Sequence, residues 1–176
     1  TCLPHSHGSS PAQPVDWKPM QLSEFLTACR ALAQSNPDLA EKHAALVALT
    51  TALQRDDPEL EAACAALKAS DFSDYRGEDL LSDQTCRVML AVMAPGGVIG
   101  LHNHPRQYGL LCCLEGRLRV DAYDAIGQEG EMGLLRLHAS SNLGPGQHAD
   151  LLPNARNVHR LEASEPTVLI DVFMPP

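Results

Sequence analysis

The chain has 176 residues, 44% of them apolar and 20% charged, with a formal net charge of −9. That length suits one domain able to bury a core without disulfides, and no apolar run approaches the ~20 residues that a membrane helix requires. An acidic balance with no dense Lys/Arg run repels phosphate backbones and anionic lipid, so neither nucleic acid nor membrane is an expected partner, which leaves a small molecule or a protein.

Residues 1–20 carry Pro4, Pro11, Pro14 and Pro19 among Ser, Gly and His, the composition of an extended or disordered arm. His5 and His7 have metal-capable spacing, but a mobile arm preorganises nothing, so they read as passive. The chain opens at Thr1 rather than Met, which reads as processing or trimming and leaves a removed export signal open; a cytoplasmic location is the expectation. From Leu22 the apolar residues Leu22, Phe25, Leu26, Cys29 and Leu32 recur at helical spacing. Asn36-Pro37-Asp38 and Asp57-Pro58-Glu59 each place a capping side chain before a proline, predicting two more helix starts. Leu39, Leu46, Leu49 and Leu53 form the stripe of one, and Leu60, Cys64 and Leu67 that of the other. His43 beside the first stripe reads as helix surface or packing. The segment 21–70 is thus expected to be helical support packed on the outside of the remaining chain.

After about residue 84 the period changes to two, as in Cys86-Val88-Leu90-Val92 and Leu118-Val120-Ala122. Turns fall at Pro95-Gly96-Gly97, Glu115-Gly116 and Gly144-Pro145-Gly146. Short strands between such turns predict a mainly β sandwich or barrel. The six cysteines, Cys2, Cys29, Cys64, Cys86, Cys112 and Cys113, form no CxxC pair and read as free, mostly buried thiols.

In Gly100-Leu101-His102-Asn103-His104-Pro105 two histidines lie at i and i+2, so on a strand both imidazoles share one face. Alone this is weak, since such pairs are commonly surface or core polar residues. The spacing around it adds weight: Gly96, five residues, His102-x-His104, four residues, Gly109, six residues, Gly116. This resembles the first motif of the cupins, and Pro153-Asn154-Ala155-Arg156-Asn157-Val158-His159 resembles the second. The resemblance implies a double-stranded β-helix, a jelly-roll barrel over residues 71–176, with His102, His104 and His159 on one metal. His138 and His148, between the motifs, hold no motif position.

Most metal-binding cupins carry a carboxylate where Gly109 stands. That departure is similar to the thiol dioxygenases, and the stretches Gly109-Leu110-Leu111, Leu114-Glu115-Gly116, Asn157-Val158-His159 and Asp171-Val172-Phe173-Met174-Pro175-Pro176 resemble cysteamine dioxygenases and plant cysteine oxidases. The resemblance implies Fe(II), dioxygen and a small thiol or the N-terminal cysteine of a peptide as reactants, with a sulfinic acid as product; a monomer is expected. Three neutral imidazoles suit this chemistry because they leave room for an anionic thiolate on a ferrous ion. Asp171 matches the family's aspartate before the double proline, with an implied role near the substrate's amino group; a barrel-end aspartate bonding a loop is the equal alternative. Arg76 precedes His102 by 26 residues, a spacing that resembles the carboxylate-binding arginine of cysteine dioxygenases. An inward Arg76 would mean cysteine or 3-mercaptopropionate as substrate, whereas a solvated loop arginine is the plainer reading. Alternation places Leu111 and Cys113 inside the barrel and Cys112 outside, and Tyr108 reads as strand packing. A cupin that binds metal or ligand without catalysis, and a cupin enzyme of another class such as an isomerase or a different dioxygenase, are the remaining alternatives, since fold alone decides no function.

Overall fold

The structure, a computed structural model, describes residues 18–35, 37–130, 132–153 and 158–175. His5, His7, Cys2 and residues 154–157 of the second motif lie outside them. Three helices come first: α1 (Leu22–Ser35), α2 (Leu39–Ala52) and α3 (Pro58–Ala69). Asp57 caps α3 as its sequence predicts, accepting from the backbone N–H groups of Glu59 and Leu60, with Pro58 in the first turn where no N–H is needed. The cap of α2 falls later than expected. Asp38 accepts from the Glu41 N–H, and Pro37 precedes the helix; Asn36 lies outside the described residues. No described helix is long and apolar enough to cross a membrane.

Among the described residues nine strands come after the helices: β1 (Tyr75–Ser82), β2 (Arg87–Met93), β3 (Val98–His102), β4 (Tyr108–Glu115), β5 (Leu118–Glu129), β6 (Met132–Leu143), β7 (His148–Leu151), β8 (Val158–Ala163) and β9 (Thr167–Met174). They form two antiparallel sheets, a five-stranded one in the order β1-β2-β9-β4-β7 and a four-stranded one in the order β3-β8-β5-β6. β1 begins earlier than the period-two pattern suggests, because it is an edge strand whose residues from Tyr75 to Asp79 are exposed and therefore show no alternation. The turns fall where expected. At Gly116, with φ 79°, an added Cβ would collide with the Pro166 carbonyl oxygen, so the tight passage from β4 to β5 needs glycine.

Alternation along the five-stranded sheet separates two cores. Ala91, Met93, Leu111, Cys113 and Leu169 join Leu118, Val120 and Leu161 of the other sheet to fill the barrel. Val88, Leu90, Val92, Leu110, Cys112, Ile170 and Val172 face the other way and pack under Phe25, Cys29, Leu46, Leu60 and Leu67 of the helices. Cys113 and Cys112 thus divide between inside and outside, as alternation requires. At ~1.5–3 kcal/mol for each fully buried large aliphatic chain, the helix-facing layer is a major share of the stabilising burial. α2 is also tied to the end of β9: the buried Lys42 donates from Nζ to the Pro175 carbonyl at 2.7 Å. Next to it His43 Nδ1 lies 2.9 Å from Asp150 and 3.1 Å from the buried Tyr108 hydroxyl.

Candidate metal centre

The last residue of β3, His102, is registered directly opposite His159 of β8, so backbone pairing brings their rings face to edge at 4.1 Å between centroids. His104 arrives differently from the expectation of two histidines on one strand. β3 ends at His102, and His104 opens a turn in which Gln107 N–H donates to its carbonyl. Pro105 follows with no N–H to extend the ladder, and Arg106 takes φ 59°, the left-handed residue of the turn. The turn, rather than strand periodicity, brings the His104 ring to 5.1 Å from His102 and 5.4 Å from His159. One ligand atom from each of the three lies within 4.8 Å of the others.

Three nitrogens each about 2.1 Å from a shared ion stand roughly 3.0–3.6 Å apart, so closure of about one to two ångströms at the widest pair would place this set on one metal. The protonation states agree. His102 Nδ1 sits 2.8 Å from the Gly100 carbonyl, which only accepts, so Nδ1 carries the proton and Nε2 presents a lone pair. Burial, with His159 and His102 adding to it, lowers His104 to a pKa of about 4 and holds it neutral. His159 is itself buried. The donor set fits a divalent transition metal.

Beside the histidines, the position that could have held a fourth ligand is filled. Phe173 of β9 lies opposite Gly109 of β4 and stacks on His104 at 4.0 Å, and a Cβ on Gly109 would stand 2.9 Å from the Phe173 ring. Two residues back on the same inward face, Asp171 is buried and its Oδ1 has no hydrogen-bond partner among the described residues. Burial raises its pKa to about 7, against an opposing pull from Arg87. Arg87, at the start of β2, is registered opposite Phe173 and so faces the same way.

The model of the family described as PCO_ADO, the plant cysteine oxidases and cysteamine dioxygenases, matches residues 46–176. The chain belongs to this family. Among curated proteins no sequence relative matches. Solved structures similar to this PCO_ADO chain include KdgF from Halomonas sp. (20% identity, 62% of this chain and 91% of that one, TM-score 0.45). They also include a cupin superfamily protein from Desulfitobacterium hafniense (10% identity, 62% and 87%, TM-score 0.46) and the cupin domain of Cnp3 from Schizosaccharomyces pombe (11% identity, 62% and 72%, TM-score 0.47). The fold is a mainly β cupin barrel with three helices on its N-terminal side. Membership of the PCO_ADO family implies a thiol dioxygenase, with a thiol and dioxygen as reactants.

The other residues singled out in the sequence are dispersed in this PCO_ADO chain. Arg76 is exposed on β1 opposite Val92, whose side chain belongs to the helix-facing core, so the structure does not bring it to the histidines. His138 pairs with Asp124 at 3.2 Å, and His148 lies near His43; both are exposed and outside the three-histidine group. The arginine that does face inward is Arg87, which sequence reasoning missed. Its signal was the period-two run of β2: counting back from the inward Ala91 and Met93 puts Met89 and Arg87 on the same face.

Proposed function

We propose that the chain is an iron(II)-dependent thiol dioxygenase in which His102, His104 and His159 hold the metal, and Asp171 receives the amino group of an aminothiol. The favoured substrates are cysteamine and the N-terminal cysteine of a peptide. The observation that carries this reading is the convergence of three imidazoles with the Phe173 ring, not a carboxylate, filling the remaining side. When bound, ferrous iron would supply adjacent positions for a thiolate and for dioxygen. In the net reaction RSH and O2 give RSO2H; both oxygen atoms go to sulfur, which supplies all four electrons, so no further reductant enters.

The chain's own part is to position and to exclude. The Gly100 carbonyl fixes the tautomer and tilt of His102. Phe173 holds His104 from the side and keeps water away from that edge. Asp171 offers a buried carboxyl group with an unpaired oxygen, which a bound ammonium would hold in its ionised form. Iron titration tests the ligand set. Wild type is expected to take up about one Fe(II) per chain, and His159→Ala to lose most of it with an unchanged far-UV circular dichroism spectrum. Iron content unchanged in that variant would reject the assignment. Oxygen uptake with sulfinate detected by mass spectrometry, over cysteamine, cysteine, 3-mercaptopropionate and a peptide with N-terminal cysteine, tests the substrate class.

A further inference from the structure

Across the inward face of the five-stranded sheet, two neighbouring rows of side chains run from the edge strand to the histidines. One row contains Ser82, Arg87, Phe173 and Gly109; the next contains Asp79, Met89, Asp171 and Leu111. In β1, Asp79 is the diagonal neighbour of Arg87, whose Nε donates to Asp79 Oδ1 at 2.8 Å. One terminal nitrogen of the same guanidinium, Nη2, lies 3.9 Å from Met89 Sδ, and Nη1 meets no acceptor among the described residues. Phe173, opposite Arg87, stacks on His104. Diagonal neighbours on a sheet stand about 7–8 Å apart, and no described ion pair joins Arg87 to Asp171.

We propose that Arg87, held by Asp79, reads a neutral carbonyl group on the amine-bearing carbon of the substrate, so that the site selects a cysteinyl amide over cysteamine and over free cysteine. The inference rests on the thiol-dioxygenase reading above and adds to it a residue that determines specificity. Its basis is complementarity. The orphaned Oδ1 of Asp171 is an acceptor for an ammonium, and the unengaged edge of Arg87 is a donor for an oxygen; the two residues lie in adjacent rows of one inward face, the order in which an α-amino carbonyl unit presents its ammonium and its carbonyl. Charge then decides which carbonyl. Once a bound ammonium has drawn the proton off Asp171, one guanidinium faces two carboxylates, Asp79 and Asp171, so the balance of the protein groups is negative even with Arg87 present. A ligand bringing an ammonium and an uncharged amide corrects that balance, whereas the carboxylate of free cysteine adds a further like charge beside both aspartates. Cysteamine satisfies Asp171 and leaves Arg87 unused. The electrostatic reach of Arg87 to both Asp171 and His104 agrees with its place between them.

The test uses the full chain loaded with zinc, a redox-inert metal that binds thiolates, titrated calorimetrically with cysteinamide, cysteamine and cysteine. Wild type is expected to bind cysteinamide at least tenfold tighter than cysteamine. Arg87→Met is expected to bring that ratio below threefold, and Arg87→Lys to restore part of it. Asp79→Asn, which keeps Arg87 but frees its charge, is expected to shift preference from cysteinamide toward free cysteine by fivefold or more, and it serves if Arg87→Met does not fold. In the iron-loaded protein the same ratios should appear in kcat/KM for sulfinate formation. A cysteinamide-to-cysteamine ratio equal in wild type and Arg87→Met, or an Asp79→Asn variant with unaltered preference, overturns the inference alone. Failure of wild type to bind or oxidise any of the three thiols overturns the thiol reading as well.

Discussion

At Gly109 the sequence reveals a missing carboxylate, and the structure reveals what took its place: an aromatic ring that a side chain at 109 would strike. The three histidines were legible because their spacing is local to two short motifs. Arg87 was missed although period two gives its face, because its contact with Asp79 and its place opposite Phe173 come from the pairing of β2 with β1 and β9, which local spacing does not report. Asp171 was legible as a residue but not as a buried acid with an unpartnered oxygen. That burial has a measurable signature. In the folded chain Asp171 keeps its proton up to about pH 7, whereas an unfolded chain releases it near 3.8. The stability arising from this difference is fully present below the unfolded value and is lost as pH rises through about 7. Asp171→Asn stays neutral at every pH, so between pH 5 and 8 the melting temperature of the ligand-free wild type should fall relative to that variant. Parallel melting curves across the range would show that Asp171 is not buried as described. The same variant should oxidise cysteamine at least tenfold more slowly, consistent with loss of one charge-assisted contact of about 1.5–3 kcal/mol.

Among the elements, helices announced themselves where capping chemistry was unambiguous, as at Asp57-Pro58. The start of α2 moved by two residues because Asp38 also caps and Pro37 is tolerated just outside a helix. β1 escaped notice because exposure on an edge strand erases alternation. His104 was expected on a strand and sits instead in a turn, since Pro105 ends the ladder that would have carried it. The helical layer has a defined task in this arrangement. It covers the outer face of β2, β4 and β9, where Val88, Leu90, Leu110, Ile170 and Val172 are buried, and it ties Lys42 to the end of β9. A chain beginning at about residue 70 would leave that face bare, a contiguous apolar surface far larger than soluble monomers tolerate. Such a truncation is expected to aggregate when examined by size-exclusion chromatography with light scattering. A monodisperse, fully active barrel without the helices would show them dispensable.

On the scale of the whole molecule, neither sheet follows the order of the sequence. β9 lies between β2 and β4, and β8 between β3 and β5, so the two latest strands are central in both sheets. Every residue of β9 is buried. A chain ending at Pro166 would therefore lack the strand that joins β1-β2 to β4-β7, and it should unfold in urea without a cooperative transition; a sharp sigmoidal transition would show that the rest of the barrel closes unaided. The same topology governs timing during synthesis. His102 and His104 leave the ribosome well before His159, and the strand that carries His159 has to slot between two others already made. The earlier pair can offer a metal only a loose, two-point grip during that interval. On the proposed ligand set, tight metal capture is thereby deferred until the barrel shuts, and a chain that fails to close remains a poor competitor for a metal ion.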